Sequence, residues 1–109
     1  MWIIYYLIIN YQLTIYSNMI ICIPKIKNHI TKQFICKIFN KYNFGNIIHI
    51  DLINKFNNKR AFIHYNFNNN KKTLQIKEWL LEGKDIKIIY NEPWYWKCSA
   101  FKANKYVTT

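Results

Sequence analysis

Glycine and proline are scarce in this chain, two of each in 109 residues. Two isolated glycines cannot build the Gly-rich loop that cradles phosphates in nucleotide-binding enzymes. The five acids are scattered. No serine or cysteine stands in the context of an activated nucleophile. These absences argue against an enzyme. Cysteine is sparse as well: Cys22, Cys36 and Cys98 are far apart and odd in number. That excludes a disulfide framework and gives no paired zinc-ligand spacing, so free thiols in a reducing, intracellular compartment are expected. No cofactor and no metal are expected. Charge is missing altogether from residues 1–18.

What remains is rich in Ile, Asn and Lys. Fifteen lysines and one arginine against five acids give a net charge of +11. The composition has the look of codon bias in an A+T-rich genome, so part of the lysine excess is compositional drift. A chain this basic is still drawn to polyanions. Nucleic acid or an anionic membrane surface is the partner class that charge selects.

Residues 1–18 begin with an apolar run from Met1 to Ile9 and then alternate through Tyr16. A membrane-spanning helix needs about 20 apolar residues, so no membrane span is expected. Neither a basic start nor a small-residue cleavage site marks a signal peptide. The segment reads either as an added strand or hairpin, or as an upstream extension before Met19, with a membrane anchor behind both.

From Ile20 to Ile26 the pattern predicts a short buried strand ended by Pro24, which cannot donate to a sheet. Thr31 is a candidate N-cap for a helix carrying Phe34, Ile35, Ile38, Phe39 and Tyr42 on one face, with Gly45 as its stop. Ile47 to Ile53 predicts a second strand, with Ile50 and Leu52 on one face and His49 and Asp51 on the other. Thr73 is a candidate cap for a second helix through Leu74, Ile76, Trp79 and Leu81, closed by Gly83. Asp85 to Tyr90 alternates, with Ile86 and Ile88 inward, and Asn91-Glu92-Pro93 breaks it.

The middle of the chain holds its most informative stretch, Asn58 to Tyr65. Asn58, Arg60, Phe62 and His64 alternate with Lys59, Ala61, Ile63 and Tyr65. A strand there buries Ala61, Ile63 and Tyr65 and shows Arg60, Phe62 and His64 to solvent. A guanidinium, an aromatic ring and an imidazole side by side suit unstacked bases.

The predicted order is strand, helix, strand, strand, helix, strand. It corresponds to an α+β, ferredoxin-like βαββαβ sandwich: a four-stranded antiparallel sheet with two helices on one face and the other face open.

Over Met19 to Ala103 this pattern resembles the RNA recognition motif. That family carries an octamer running basic, Gly, aromatic, Gly or Ala, aromatic, aliphatic, any, aromatic. Ala61, Phe62, Ile63 and Tyr65 match its last places, whereas Asn58, Lys59 and Arg60 depart from its first three. The family's hexamer resembles Ile21-Cys22-Ile23-Pro24-Lys25-Ile26, with Cys22 where an aromatic usually stacks. Of three expected stacking rings only Phe62 is kept, and Arg60 can partly substitute through its flat guanidinium. The closing run Ile88 to Lys97 is similar to the end of small RNA-recognition-motif-like proteins of large nucleocytoplasmic DNA viruses. The resemblance implies a domain over 19–103, a loose tail over 104–109, single-stranded RNA as partner, and a place in the host cell during infection.

On this reading the nucleic-acid contacts are Arg60, Phe62, His64, Cys22, Lys25, His49, Lys59 and Lys87. Trp94 and Trp96 form a second aromatic site. Phe62 facing outward is either a base platform or a dimer contact. His49 and His64 can approach across neighbouring strands, but with only Asp51 nearby they read as polar surface, not a metal site. The lysines are either phosphate contacts or a solvated surface from biased composition. The departures at Cys22 and Arg60 favour the alternative function, a protein-interaction module using the sheet or the Trp94–Trp96 segment.

Overall fold

The computed structural model describes residues 18–101. The readings of the N-terminal segment as a strand, hairpin or extension, and of the 104–109 tail, lie outside the described residues. The elements are β1 (Asn18–Ile26), α1 (Lys32–Tyr42), β2 (Gly45–Asn54), β3 (Lys59–Phe67), α2 (Lys71–Leu81), β4 (Ile86–Asn91) and β5 (Trp94–Ala100). The fold is α+β, as expected. The sheet is antiparallel in the order β2-β3-β1-β5-β4.

That order corrects the four-stranded expectation to five strands. The place beside β1 is taken by β5, through Ile21 opposite Ala100 and Cys22 opposite Ser99. Ile86–Asn91, which the sequence cast as the closing strand, is an outer strand paired only with β5. The Glu92-Pro93 break is the turn of a hairpin and not the end of the sheet. The arrangement is compatible with a ferredoxin-like plan carrying one added strand.

The core lies where the sheet meets the helices. Ile21 and Ile23 of β1, Ala61, Ile63 and Tyr65 of β3, and Ile88, Trp96 and Cys98 of the hairpin are buried with Ile35, Ile38, Phe39 and Leu80 of the helices. The alternation read in β3 is therefore the observed one. The Phe39 and Tyr65 rings meet at 5.7 Å.

The element ends follow local chemistry, with three corrections. Thr31 caps α1 as expected, its hydroxyl accepting from the Phe34 N–H at 3.2 Å. The same helix ends at Asn43, in the left-handed region at φ 55°. Gly45 instead opens β2, where the backbones run so close that a Cβ would overlap the Asn66 carbonyl oxygen and sit 2.8 Å from the Phe67 Cα. Asn70, not Thr73, caps α2: its side-chain oxygen accepts from the Thr73 N–H at 2.9 Å, and Thr73 is buried. Gly83 does stop that helix, at φ 88°, with the Lys84 N–H returning to the Trp79 carbonyl. Pro24 does not end β1. The strand bulges through Pro24 and Lys25 and resumes at Ile26, opposite Lys59.

Among the described residues no helix is long and apolar enough to cross a membrane.

Candidate nucleic-acid interface

The face of the sheet opposite the helices is built by register. Arg60, Phe62 and His64 project onto it from β3, each half-buried between neighbours. Across the sheet one row runs Asp51, Phe62, Cys22, Ser99, each residue opposite the next on β2, β3, β1 and β5. A second row places His49 opposite His64 and His64 opposite Ile20. His49 reaches this face through a bulge at Ile48, which puts one extra residue between Ile47 and His49.

The row through Cys22 is where the resemblance lacks a ring, and the adjoining row, through Ile20, brings one from the end of β5. Phe101, just past β5, donates its N–H to the Ile20 carbonyl at 2.8 Å. Its ring meets Phe62 edge-on at 4.8 Å between centroids. The two rings form a pair over the central strands, and an edge-on contact leaves ring face open to a base. Sequence reading missed Phe101 because it ended the closing run at Lys97. Carrying the alternation on puts Trp96, Cys98 and Ala100 toward the helices and Tyr95, Lys97, Ser99 and Phe101 on the open face.

Arg60 lies beside Cys22, and its Nε is buried without a hydrogen-bond partner. Burial pushes the Cys22 thiol up from its ordinary range, more than Arg60 and Lys55 pull it down. Such a shift favours the neutral thiol over the thiolate. The two histidines share one carboxylate. His49 Nε2 donates to Asp51 Oδ1 at 2.6 Å and His64 Nε2 to Asp51 Oδ2 at 3.3 Å. The imidazole rings stand 5.4 Å apart. The bond from His49 holds the Asp51 carboxyl below its usual range, with the bond from His64 adding to it. Among the described residues no group of three His, Cys, Asp or Glu side chains is arranged to hold a metal ion.

The lysines divide. Lys25 is exposed in the β1 bulge. Lys87 lies on the open face of β4, its ammonium 4.8 Å above the Tyr95 ring. Lys59 is not on that face: it shares the inward side of β3 and donates to the Ile30 carbonyl at 3.2 Å. Its expected phosphate contact is corrected accordingly. The second aromatic site also divides. Trp96 is 3% exposed, stacked on Tyr90 at 4.7 Å and met edge-on by Phe34. It is core. Trp94 is exposed at the hairpin tip, with the Lys27 ammonium 4.9 Å from its ring, but alternation places it on the helix side of the sheet.

The helix side carries an apolar cleft of about 400 Å³, lined by Phe44, Ile76, Trp79, Ile86 and Ile88 among others. The Tyr42 hydroxyl lines it too and closes the adjoining edge of β4, accepting from the Ile89 N–H at 2.7 Å and donating to the Ile89 carbonyl at 3.3 Å. That contact blunts a strand edge on which another chain could add.

Comparison with protein families, with curated proteins and with solved structures finds no match for this chain.

Proposed function

We propose that the protein binds single-stranded RNA across the open face of its sheet, through base stacking and lysine–phosphate contacts, and acts by binding and not by catalysis. One observation carries the reading: the Phe62–Phe101 ring pair, with Arg60 on the same strand, lies on a sheet face that no helix covers among the described residues. Every base offers a π-face, so rings presented this way hold a strand with little sequence preference. The charge of +11 supplies the attraction to phosphate. On this reading the fold is an RNA-recognition-motif-like variant, with β5 in the place of the closing strand and β4 appended. Its kinship is with the viral proteins that the closing run resembles. It works in the reducing interior of a cell, where Cys22, Cys36 and Cys98 remain free thiols.

A second reading, a protein-interaction module, is favoured by the apolar cleft beside Trp79 and by the Asp51 carboxylate next to Phe62, which repels phosphate. One titration separates them. Labelled single-stranded RNA, single-stranded DNA and duplex of equal length are each titrated with the protein at low and high salt. The RNA reading expects the single strand to bind more tightly than the duplex and to weaken as salt rises. Equal binding of all three, or none, refutes it and favours the interaction module.

A further inference from the structure

The β4–β5 hairpin widens the open face by one strand, and the new area is neither bare nor acidic. Tyr95 and Lys97 on β5 and Lys87 and Ile89 on β4 all project from it. Lys87 stands opposite Lys97 and Ile89 opposite Tyr95. Tyr95 is 47% exposed, which is high for a ring on a strand that pairs with another. Ile89 beside it is 41% exposed. Lys97 is bound to Asp85 at 3.2 Å, and the Lys87 ammonium lies 4.8 Å from the Tyr95 ring centroid. Asp85 is thus occupied by Lys97, and Lys87 keeps an unneutralised positive charge against an open aromatic face.

We propose that Tyr95 and Lys87 form a second nucleotide subsite, which takes a base and its phosphate from the same single-stranded RNA that the Phe62–Phe101 pair holds. This rests on the reading of the sheet as an RNA platform. Ser99 lies two strands from Phe62, and Tyr95 four residues further along β5. At about 4.8 Å per strand and about 3.3 Å per residue, the two ring sites are roughly 16 Å apart. That is about five stacked base steps of about 3.4 Å, or fewer for a stretched strand. One base cannot touch both sites, and a trinucleotide is too short to occupy both. Binding therefore depends on length, and the dependence comes from Tyr95. Charge selects the occupant: a cation over a ring suits a base with its phosphate, and the neighbouring Lys97–Asp85 pair adds no net negative charge.

The test uses the full chain and two probes, a uridine trinucleotide and a uridine decanucleotide, with dissociation constants measured for both. The unaltered protein should bind the decanucleotide more tightly than the trinucleotide. Tyr95→Ala should weaken the decanucleotide about 5-fold or more, the low end for one stacked base, and leave the trinucleotide unchanged. Tyr95→Phe keeps the ring and should bind both as the unaltered protein does. Thermal melts of the two variants show whether the hairpin is intact. If Phe62→Ala weakens both probes while Tyr95→Ala weakens neither, the sheet binds RNA but the hairpin subsite does not exist. Equal weakening of both probes by Tyr95→Ala also overturns the subsite, because the effect is then general. If the unaltered protein binds neither probe, the platform reading itself has failed and takes this one with it.

Discussion

Replacing Phe62 with alanine asks the fold and the function to disagree. Phe62 meets Phe101 edge-on at 4.8 Å on the face opposite the helices and makes no part of the buried cluster. An aromatic pair of this kind is worth about 0.5–1.5 kcal/mol beyond its area. The loss of stability should be about 1 kcal/mol, or about 4–8 °C in melting temperature for a domain of this size. The same truncation three residues along the strand is a different matter. Tyr65 is 1% exposed and packs against Phe39 and Phe67, so Tyr65→Ala should cost about 3–5 kcal/mol. Affinity should order the two the other way. Losing a stacked base costs roughly 1–3 kcal/mol, so Phe62→Ala should weaken a single-stranded oligoribonucleotide about 5- to 150-fold, read by fluorescence anisotropy. A Phe62→Ala protein that melts normally and binds RNA as tightly as before would refute the platform. One that fails to fold would refute the assignment of faces on β3.

Arg60→Lys keeps the charge and loses the flat guanidinium; a clear fall in RNA affinity is expected, and no change would make Arg60 a purely electrostatic contact. With about 4–6 phosphates neutralised on one strand, the slope of log affinity against log salt should be roughly −3 to −4, and a slope near zero would point away from lysine contacts. Gly45→Ala forces a Cβ into the Asn66 carbonyl and the β3 backbone and should lower stability by roughly 2 kcal/mol or more in a denaturant titration. Asp51 is held below its usual range chiefly by the hydrogen bond from His49. A depressed carboxyl stabilises the fold above its unfolded value of about 3.9, and that contribution is lost as pH falls through the lower folded value. Asp51→Asn should therefore remove part of the acid-induced drop in melting temperature, a small part because the carboxylate is exposed and screened by solvent. A variant with an unchanged acid profile would refute the linkage.

Much of the fold was legible because period is a burial signal. Ala61, Ile63 and Tyr65 went inward because alternation at β3 had a buried face to obey. Phe34, Ile35, Ile38 and Phe39 made a helical stripe that had to meet a sheet. The misreadings share a physical cause: they are places where residue type underdetermines backbone geometry. Pro24 bars a ladder hydrogen bond but not a bulge, so β1 runs on to Ile26. Gly45 looked like a helix stop because glycine tolerates positive φ. Its actual constraint is the closeness of a neighbouring backbone, which is not encoded locally. Thr73 and Asn70 are both good caps, and the choice went to the residue whose backbone was extended. Asn91-Glu92-Pro93 reads as a breaker whether the chain leaves the sheet or turns back along it, so the fifth strand could not be told from a loop.

The candidate site shows why a short motif is a poor measure of a binding face. A motif records which residues one strand contributes, whereas a ligand meets whatever the register brings together. Cys22 removes a ring from β1, and the octamer keeps only one of its own on the open face. On sequence alone the platform looks dismantled. Yet β5 pairs with β1 so that the Phe101 N–H reaches the Ile20 carbonyl, one row from Cys22, and the Phe101 ring meets Phe62 from that neighbouring row. Cys22 lies opposite Phe62 on one side and Ser99 on the other, so an aromatic in its place would compete with Phe101 for contact with the Phe62 ring. The ring on β1 and the ring after β5 are alternatives, and this chain has the second. The pair Cys22 and Phe101 then behaves as a unit. Cys22→Phe should displace the Phe101 ring and gain little affinity, while Cys22→Phe combined with Phe101→Ala should restore a two-ring face. If the single replacement instead raised RNA affinity as much as the double, there would be room for both rings and the compensation argument would fall.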